Sequence, residues 1–324
     1  MDRRTLLTTL AATAAASAAP WARAQNYPEQ LIKWVVPYPA GGGTDVIART
    51  LAEAMRQTLG QQIVIDNRPG ASTNIGADLV AKSKPDGYTV MSADNALLAF
   101  NEYLFTKLPF NPEKDFTYIG AIGKFPLALV VHPDFPAKDF KSFLAYAKAN
   151  PGKLNYGSAG NGSSHHLAGE LFKLETKTFI THIPYKGAGP ALSDLIAGQV
   201  DIVFDGLGSS AQHIRSNRIN ALAVAATKRS PSFPNVPTAA EVGVKNFEVS
   251  TWYAMWVPKN TPKDVVDKLY AETRKALDSP EMKAVWLNNG SEIPNFTPEQ
   301  FGQFQHAEIK RWAEVVQRSG AKID

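Results

Sequence analysis

Residues 31–60 read LIKWVVPYPAGGGTDVIARTLAEAMRQTLG, and this stretch decides the fold. It begins with an apolar run that has the length and composition of a buried strand. A glycine-rich loop follows, and then apolar residues recur on one face of a helix: Ile47, Leu51, Ala54, Met55 and Leu59. Gly60 is placed to end that helix. The stretch therefore predicts a strand, a tight loop and an amphipathic helix over 45–59.

The same alternation continues along the chain. Strand-like runs lie at 62–65, 127–131, 154–157, 179–184, 200–204, 221–225 and 252–257, and helical patterns lie at 74–82, 138–149, 163–174 and 190–197. Such alternation predicts a mostly parallel sheet with helices on both faces. From Pro262 onward the pattern is helical without strands, and we expect this tail to pack on the first unit. Two domains joined by two chain crossings would then enclose a hinged cleft.

The amino terminus has the pattern of an export signal. Arg3 and Arg4 precede an alanine-rich apolar run over 6–19, and Ala22-Arg23-Ala24 supplies the small residues of a cleavage site. The run is too short for a bilayer span, so residues 1–24 are predicted to be a cleavable signal peptide. We therefore expect a periplasmic protein, and the paired arginines leave both Sec and twin-arginine export open.

Composition excludes several classes of function. The chain has 324 residues, no cysteine and a formal charge of +4, which falls to +2 (31 basic and 29 acidic residues) without residues 1–24. The absence of cysteine excludes thiol catalysis, iron–sulfur clusters and the commoner zinc sites. The mature charge is small, and there is no basic run interleaved with aromatics, which argues against a nucleic-acid partner. About 300 mature residues predict two domains.

Three loops share one composition, in which glycines and small polar residues connect a strand to the start of a helix. They are 38–45, 67–74 and 157–164. Glycine lets backbone N–H groups approach a ligand closely, and the first turn of a helix has unpaired donors and a partial positive charge. One such loop can be an ordinary turn, whereas three together favour an anion site without lysine or arginine. None carries a Walker or dinucleotide motif, which disfavours nucleotide binding.

Two aspartates and two histidines near these loops have alternative interpretations. Asp45 at a helix start caps the helix more readily than it lines a cleft. Asp205 ends an apolar strand, where it either contacts a ligand or has a structural role. His165 and His166 are neighbours on a predicted helix and point about 100° apart, so they cannot easily share a metal ion. With Ser164 a Ser-His-Asp set can be written, but no G-x-S-x-G elbow is present.

Aromatic residues at strand ends are candidates for contact with the carbon skeleton of a solute. These are Tyr38, Tyr185, Trp252 and Tyr253, each of which could equally pack in the core or at a rim. Lys186 is the best-placed cation of the second unit, although a solvated loop lysine is the simpler interpretation.

Taken together, these motifs resemble the Bug family, the extracytoplasmic receptors of tripartite tricarboxylate transporters. The resemblance covers nearly the whole mature chain. It is carried by Tyr27-Pro28, 36–45 (VPYPAGGGTD), 66–71 (DNRPGA), 81–89 (AKSKPDGYT), 157–170, 184–187 (PYKG), 198–201 (GQVD), 204–205 (FD), 234–243 and 252–253 (WY).

The resemblance implies an α/β protein with the type II periplasmic-binding-protein fold, in which two α/β domains flank a hinged interdomain cleft. Residues 25–125 and 253–324 would form the first domain, and residues 126–252 the second. It implies a monomeric receptor without enzymatic activity, metal or cofactor. Its expected ligand is a small carboxylate: a dicarboxylate, an aromatic acid or an amino acid. Its expected partners are the membrane permease subunits to which it delivers that ligand.

The resemblance also implies the ligand contacts. In the family the first two loops hold one carboxylate, partly through water, and the remaining contacts come from the second domain. The implied residues of the first domain are Tyr38, Gly41, Gly42, Thr44, Asp45, Ser72, Thr73 and Asn74. Those of the second are Ser158, Gly160, Asn161, Ser163, Tyr185 and Asp205.

The sequence departs from the family at two places. Ser72-Thr73 stands where glycines are frequent, and 92–96 contains an acidic Asp94, which argues against a large polyanion as ligand. Two other functions use the same cleft. A ligand sensor would pass its bound state to a receptor kinase, and a periplasmic hydrolase would use Ser163 or Ser164 with a histidine.

Overall fold

The computed structural model describes residues 27–323, so the predicted signal peptide lies outside the described residues. The described strands are β1 (Ile32–Val36), β2 (Ile63–Asn67), β3 (Thr89–Asp94), β4 (Phe116–Val131), β5 (Asn155–Ser158), β6 (Thr181–Pro184), β7 (Ile202–Gly206), β8 (Asn220–Val224) and β9 (Ser250–Pro258). They form one sheet in the order β2-β1-β3-β9-β4-β7-β5-β6, and β8 pairs with β4.

The helices mostly lie between these strands along the chain. They are α1 (Gly43–Leu59), α2 (Asn74–Ala81), α3 (Asn101–Leu104), α4 (Phe140–Ala149), α5 (Ser164–Thr176), α6 (Ala188–Ile196), α7 (Leu207–Arg215), α8 (Lys263–Asp278), α9 (Pro280–Asn288) and α10 (Pro298–Ser319). A single π-helical turn, Ala96–Phe100, precedes α3.

Parallel and antiparallel pairing are segregated within the sheet. β2, β1 and β3 form a parallel set at one end, and β7, β5 and β6 form another at the other end. Between them β9 and β4 pair antiparallel with each other and with their neighbours. The expectation of a mostly parallel sheet is therefore wrong for its centre. The pattern of apolar residues does not predict the direction of a strand. That direction depends on how the chain connects the two parallel sets.

β4 links the two parallel sets. Its first part, Phe116 to Pro126, pairs with β9, and its last part, Leu127 to Val131, pairs with β7 and β8. The apolar pattern predicted only that last part, since glycines 120 and 123 and Lys124 interrupt the earlier residues. Those glycines have close neighbours: a Cβ at Gly123 would lie 2.7 Å from the indole nitrogen of Trp286. A side chain at position 123 would therefore collide with Trp286 of α9.

Helix α1 forms as its sequence pattern predicts. Ile47, Leu51, Met55 and Leu59 are buried on one face, against a core that contains Trp34 of β1. Gly60 ends the helix in the left-handed conformation (φ 69°), and its N–H donates to the Arg56 carbonyl. The apolar spacing therefore predicts the buried face of this helix, and Gly60 predicts its end.

The carboxyl-terminal helices pack against both halves of the molecule. α8 lies on α1, as expected for a tail that returns to the first unit. α10 packs on the π-helical turn and also on α5, which follows β5 in the second parallel set. Trp312 of α10 is fully buried and makes an edge contact with Phe100, with ring centroids 4.9 Å apart. Among residues 27–323, no helix is long and apolar enough to cross a membrane.

Candidate ligand-binding site

The carboxyl ends of six strands meet at one place, which is where open α/β sheets bind ligands. The predicted loops follow β1, β2 and β5, the Tyr185 turn follows β6, and Asp94 and Asp205 stand at the ends of β3 and β7. Two connected cavities lie there. They share Tyr38, Pro39, Ala159, Ser163, Lys186 and Gly187 as lining residues.

We call the first cavity the inner chamber. It has a volume of about 130 Å³. Its walls are the first loop, Tyr38 to Thr44, and the start of α7 at Gly206, Gly208 and Ser209. The start of α5 at Ser163 and Ser164 and the start of α6 at 186–190 also line it, together with Asp94, Phe125, Thr251, Tyr253 and His165.

We call the second cavity the outer chamber, and its volume is about 520 Å³. The second loop, Pro69 to Thr73, forms one wall, and the third loop, Ala159 to Ser163, forms the opposite one together with Tyr185. One hydrogen bond already crosses between these walls: Ser72 Oγ donates to the Asn161 carbonyl at 2.6 Å.

Five helix amino termini line the two chambers, those of α1, α2, α5, α6 and α7. Within the described residues, four of them lack a side-chain hydrogen bond at the N-cap, namely Gly42, Thr73, Gly187 and Gly206. Only α5 is capped, by Ser163, whose Oγ accepts from the His166 N–H. Uncapped first turns present unpaired N–H donors and a partial positive charge, so this arrangement can hold an anion.

Glycine is needed where the third loop approaches the Tyr185 turn. Gly160 has φ +122°, and a Cβ there would lie 2.9 Å from the Tyr185 carbonyl oxygen. Both the backbone conformation and the space therefore exclude larger residues. The close approach brings Tyr185 to the outer chamber beside Asn161.

Ten of the predicted contact residues line one or both chambers. They are Tyr38, Gly41, Gly42, Thr44, Ser72, Thr73, Gly160, Asn161, Ser163 and Tyr185. The other four, Asp45, Asn74, Ser158 and Asp205, stand behind the lining of both chambers. In the described structure each of these four makes hydrogen bonds that position a loop or a helix.

Asp45 holds the first loop in place. Its carboxylate accepts from the Gly41 N–H at 2.9 Å, from Arg49 Nε at 3.0 Å and from Asn67 Nδ2 at 2.9 Å. Burial opposes its ionisation, but these hydrogen bonds outweigh that effect and keep the pKa of Asp45 below its ordinary value. The expectation that Asp45 caps the helix is therefore wrong, since the N-cap of α1 is Gly42 without a side-chain cap, and Asp45 instead holds the loop before it.

Asn74 and Ser158 support the second and third loops. Asn74 Oδ1 accepts from Asn101 Nδ2 at 2.8 Å. Ser158 Oγ lies 2.6 Å from His182 Nε2 and accepts from the Gly160 N–H at 3.0 Å. Both side chains fix loop geometry from behind the chamber wall.

Asp205 is fully buried next to the inner chamber. Ser209 Oγ donates to its Oδ2 at 2.6 Å, and His165 Nε2 lies 3.4 Å from its Oδ1. His165 Nδ1 accepts from the Ala159 N–H, so the neutral ring carries its proton on the nitrogen that faces Asp205. Burial raises the pKa of Asp205 to about 7 and lowers the pKa of His165 to about 4. Between these two pKa values the Asp205 carboxyl keeps its proton and the His165 ring is neutral.

Asp94 lines the inner chamber at the end of β3. Tyr38 Oη donates to its Oδ2 at 2.8 Å, and the Ala96 N–H donates to its Oδ1 at 3.1 Å. Burial raises the pKa of Asp94 to about 6, and burial also raises the pKa of Tyr38. The acidic departure noted in the sequence is therefore a wall residue of the chamber.

The serines and histidines of the third loop hydrogen-bond to the loop backbone or to Asn95. Ser163 Oγ donates to the Gly160 carbonyl, and Ser164 Oγ donates to Asn95 Oδ1 at 2.8 Å. His166 Nδ1 accepts from the Gly162 N–H at 3.1 Å. A nucleophile–base pair from Ser164 and His165 is thus not assembled in this arrangement. Across residues 27–323 there is also no cluster of three or more histidine, aspartate or glutamate side chains that could hold a metal ion.

The sequence analysis did not identify some of the residues that line the chambers. Phe125 lies on the early part of β4, Thr251 at the beginning of β9 and Ser209 on α7. The apolar pattern did not predict these three parts of the structure. Of the aromatic candidates, Tyr253 lines the inner chamber. Trp252 points to the other face of β9, where it contacts Phe301 and Phe304.

Comparison with known proteins identifies the class. The sequence profile of the "Tripartite tricarboxylate transporter family receptor" matches residues 47–321. The periplasmic binding protein BugD is 36% identical, with a TM-score of 0.87 over 91% of this chain and 99% of BugD. An R. palustris protein solved with adipate is 35% identical, with a TM-score of 0.88 over 91% of this chain and 98% of the other. MatC from Rhodopseudomonas palustris, solved with malate, is 34% identical, with a TM-score of 0.85 over 90% of this chain and all of MatC.

The fold and the cavity between strand ends define a periplasmic solute-binding protein. More specifically, the chain belongs to the receptor family of the tripartite tricarboxylate transporters. The resemblance to the Bug family and the predicted fold class, two α/β domains of the periplasmic-binding type, are both confirmed.

Proposed function

We propose that this receptor captures a small carboxylate in the two chambers and delivers it to the permease subunits of a tripartite tricarboxylate transporter. The observation that carries the proposal is the set of five helix amino termini around the cavity, four of them without a side-chain cap in the described residues. Their N–H donors suit a carboxylate, because they offer hydrogen bonds and positive potential without a mobile cation.

The proposed contacts are the predicted residues that line the chambers, with Asp45, Asn74, Ser158 and Asp205 as supports behind them. Lys186 is the only lysine or arginine on either wall among the residues described, and it is exposed at the rim. The carboxylates reported for the adipate and malate complexes support this ligand class. A receptor that works by capture needs no nucleophile or metal, and we assign it no cofactor.

The proposed domains are 25–125 with 253–324, and 126–252. The strand pairing supports a hinge at their boundary, because Pro126 of β4 lies opposite Ser250 of β9. The two crossings of the chain therefore run side by side, as a hinge between closing domains requires. Residues 1–24 are proposed to direct export to the periplasm, where the receptor acts as a monomer.

A thermal-shift panel tests the ligand class. Saturation with the correct solute stabilises the folded state by RT ln(1 + [L]/Kd), about 2.7 kcal/mol at a hundredfold excess over Kd. We expect at least one compound among aliphatic dicarboxylates, citrate, amino acids and aromatic acids to raise Tm. The proposal fails if only uncharged solutes such as sugars raise Tm. Delivery is tested separately, by uptake of the identified solute in cells with and without the receptor.

Replacement of Lys186 tests how the carboxylate is held. If the helix termini hold it, Lys186→Ala weakens binding by less than about tenfold, since an exposed cation adds at most about 1 kcal/mol. The exposed Lys153→Ala is the matched control. A loss of several hundredfold in Lys186→Ala, measured by titration calorimetry, would show that the lysine is the main anion contact instead.

A further inference from the structure

We propose that Asn101 is a positioning residue of the binding site, which holds the second loop in the strained backbone conformation that shapes the outer chamber. Asn101 itself stands behind the described lining of both chambers. The inference rests on the proposed function, because it explains how one wall of the ligand-binding cavity is kept in shape. We therefore expect Asn101 to affect the affinity for ligand as well as the stability of the fold.

The second loop has a backbone conformation that its own side chains oppose. Ala71, Ser72 and Thr73 have φ values of 45°, 49° and 80°. In this left-handed region the Cβ of an L-residue comes too close to the following carbonyl oxygen, and glycine is the residue that adopts it routinely. Three successive residues with side chains keep such a conformation only where neighbouring groups hold them there.

The side-chain amide of Asn101 supplies contacts of this kind. Its Nδ2 donates to the Ser72 carbonyl at 2.6 Å and to Asn74 Oδ1 at 2.8 Å, and Thr73 Oγ1 lies 3.4 Å from it. The two short hydrogen bonds use both N–H groups of the amide. Asn101 is fully buried, so water does not compete for these donors. One side chain therefore fixes the loop on both sides of Thr73.

Asn101 lies where the second and third loops meet. It binds the carbonyl of Ser72, whose hydroxyl donates to the Asn161 carbonyl across the outer chamber. A Cβ at Gly162 of the third loop would lie 3.5 Å from Asn101 Oδ1. That oxygen is buried and has no hydrogen-bond partner among the described residues, so the contribution of the amide comes from its two donors.

Core packing keeps Asn101 itself in place. The residue follows the π-helical turn, and its backbone N–H donates to the Ala96 carbonyl, five residues earlier, in the π-helical pattern. Phe100, the last residue of that turn, packs on Trp312 of α10 with ring centroids 4.9 Å apart. The core therefore fixes the position of the donor, and the donor fixes the position of the loop.

Asn101→Leu tests this role, because leucine keeps the branched shape but has no donor. In the unliganded variant we expect at least one of residues 71–73 to leave the left-handed region, which one-bond Cα–Hα couplings report by NMR. L-malate, adipate, citrate, L-glutamate and benzoate are the probes for titration calorimetry. For those that bind the wild type, Kd should rise by at least about fivefold, since two buried hydrogen bonds are lost.

Thr176→Val is the matched control for the loss of a buried hydrogen bond. Thr176 is buried at the end of α5, and its hydroxyl donates to the Phe172 carbonyl at 2.6 Å. Valine keeps the shape of the side chain and removes this donor, so the variant should be less stable than the wild type. Because Thr176 does not contact the second loop in these hydrogen bonds, Kd should stay unchanged.

A double-mutant cycle with Ala71→Gly separates positioning from a general loss of stability. Glycine adopts the left-handed conformation without strain, so the second loop depends less on Asn101 in the Ala71→Gly background. The rise in Kd caused by Asn101→Leu should therefore be at least about threefold smaller in that background than in the wild type. A defect of folding alone would cost the same affinity in both.

The outcomes distinguish this inference from the proposed function. Unchanged couplings in Asn101→Leu, or equal losses of affinity in the two backgrounds, overturn the inference and leave the proposed function standing. If none of the five carboxylates binds the wild type, it is the proposed function that fails, and the couplings decide whether Asn101 holds the loop. Asn101→Ser keeps one donor, and it takes the place of the leucine variant if that variant does not fold. Its effects should have the same direction and a smaller size.

Discussion

Asp205 makes the stability of the fold depend on pH, because burial raises its pKa and its hydrogen bonds offset that rise only in part. Its raised pKa means that the folded protein keeps a proton on this carboxyl after the unfolded chain has lost it. Between about pH 4 and pH 7, Asp205 therefore lowers the stability of the fold as pH rises. His165 acts in the opposite direction between about pH 4 and pH 6.5, because its pKa is lowered and over that range only the unfolded state takes up the proton.

Asp205→Asn isolates the effect of the aspartate. The amide retains an acceptor for Ser209, so the variant should gain stability relative to wild type as pH rises from about 4 to 7. The expected slope of the difference is on the order of 1 kcal/mol per pH unit. Urea unfolding at several pH values measures it, with Asp134→Asn as the exposed control. A difference that stays constant with pH would show that Asp205 is already ionised at low pH.

Site residues could be predicted from the sequence where a short local pattern was enough to identify them. The glycines and hydroxyls of the three loops follow strands, and the structure puts most of them in the chamber walls. The aspartates were harder, because Asp45 and Asp205 have the same sequence context whether they face a ligand or a backbone N–H. Only the positions of Arg49, Asn67 and Ser209 distinguish these possibilities, and those depend on tertiary packing.

At the scale of elements, α10 connects parts of the chain that the sheet keeps apart. It contacts both the π-helical turn after β3 and α5. Trp312 is the largest fully buried side chain of the helix, and its indole N–H donates to Glu308 at 3.1 Å. Trp312→Ala should lower the free energy of unfolding by about 3–5 kcal/mol, through lost burial and the cavity left behind.

Chemical denaturation measures that loss, and Arg318→Ala on the exposed side of the same helix is the control. The control should change stability by less than about 0.5 kcal/mol, because its pair with Glu314 is at the surface. Equal effects in the two variants would mean that α10 is held by its exposed contacts rather than by its buried face.

Elements with strong periodicity were predictable, and those defined by long-range pairing were not. α1 follows from its apolar spacing and Gly60. β3 carries Ser92 and Asp94 at buried positions, so its composition does not identify it as a strand. Its place in the sheet depends on pairing with β1 and β9, the latter more than 150 residues away. Local sequence contains no information about such partners.

At the scale of the whole molecule, one side-chain hydrogen bond joins loops that follow strands of the two parallel sets. The hydrogen bond from Ser72 Oγ to the Asn161 carbonyl joins the second loop to the third across the outer chamber. Ser72 has φ 49°, between Ala71 at 45° and Thr73 at 80°, so three successive residues with side chains are in the left-handed region. Such strain is costly and persists where the surrounding contacts hold it.

Ser72→Ala removes the hydroxyl and keeps the β-carbon, so it deletes the bridge without relieving the backbone strain. A hydrogen bond of this kind contributes about 0.5–1.5 kcal/mol, so Kd for the captured carboxylate should rise by about two- to tenfold. The loss should appear mainly as faster dissociation, because the bridge stabilises the closed state that retains the ligand. Ser216→Ala is the control, since that hydroxyl is exposed and bonds only within its own turn. Stopped-flow dissociation compares the variants, and an unchanged off-rate in Ser72→Ala would mean that the two loops meet without contributing to closure.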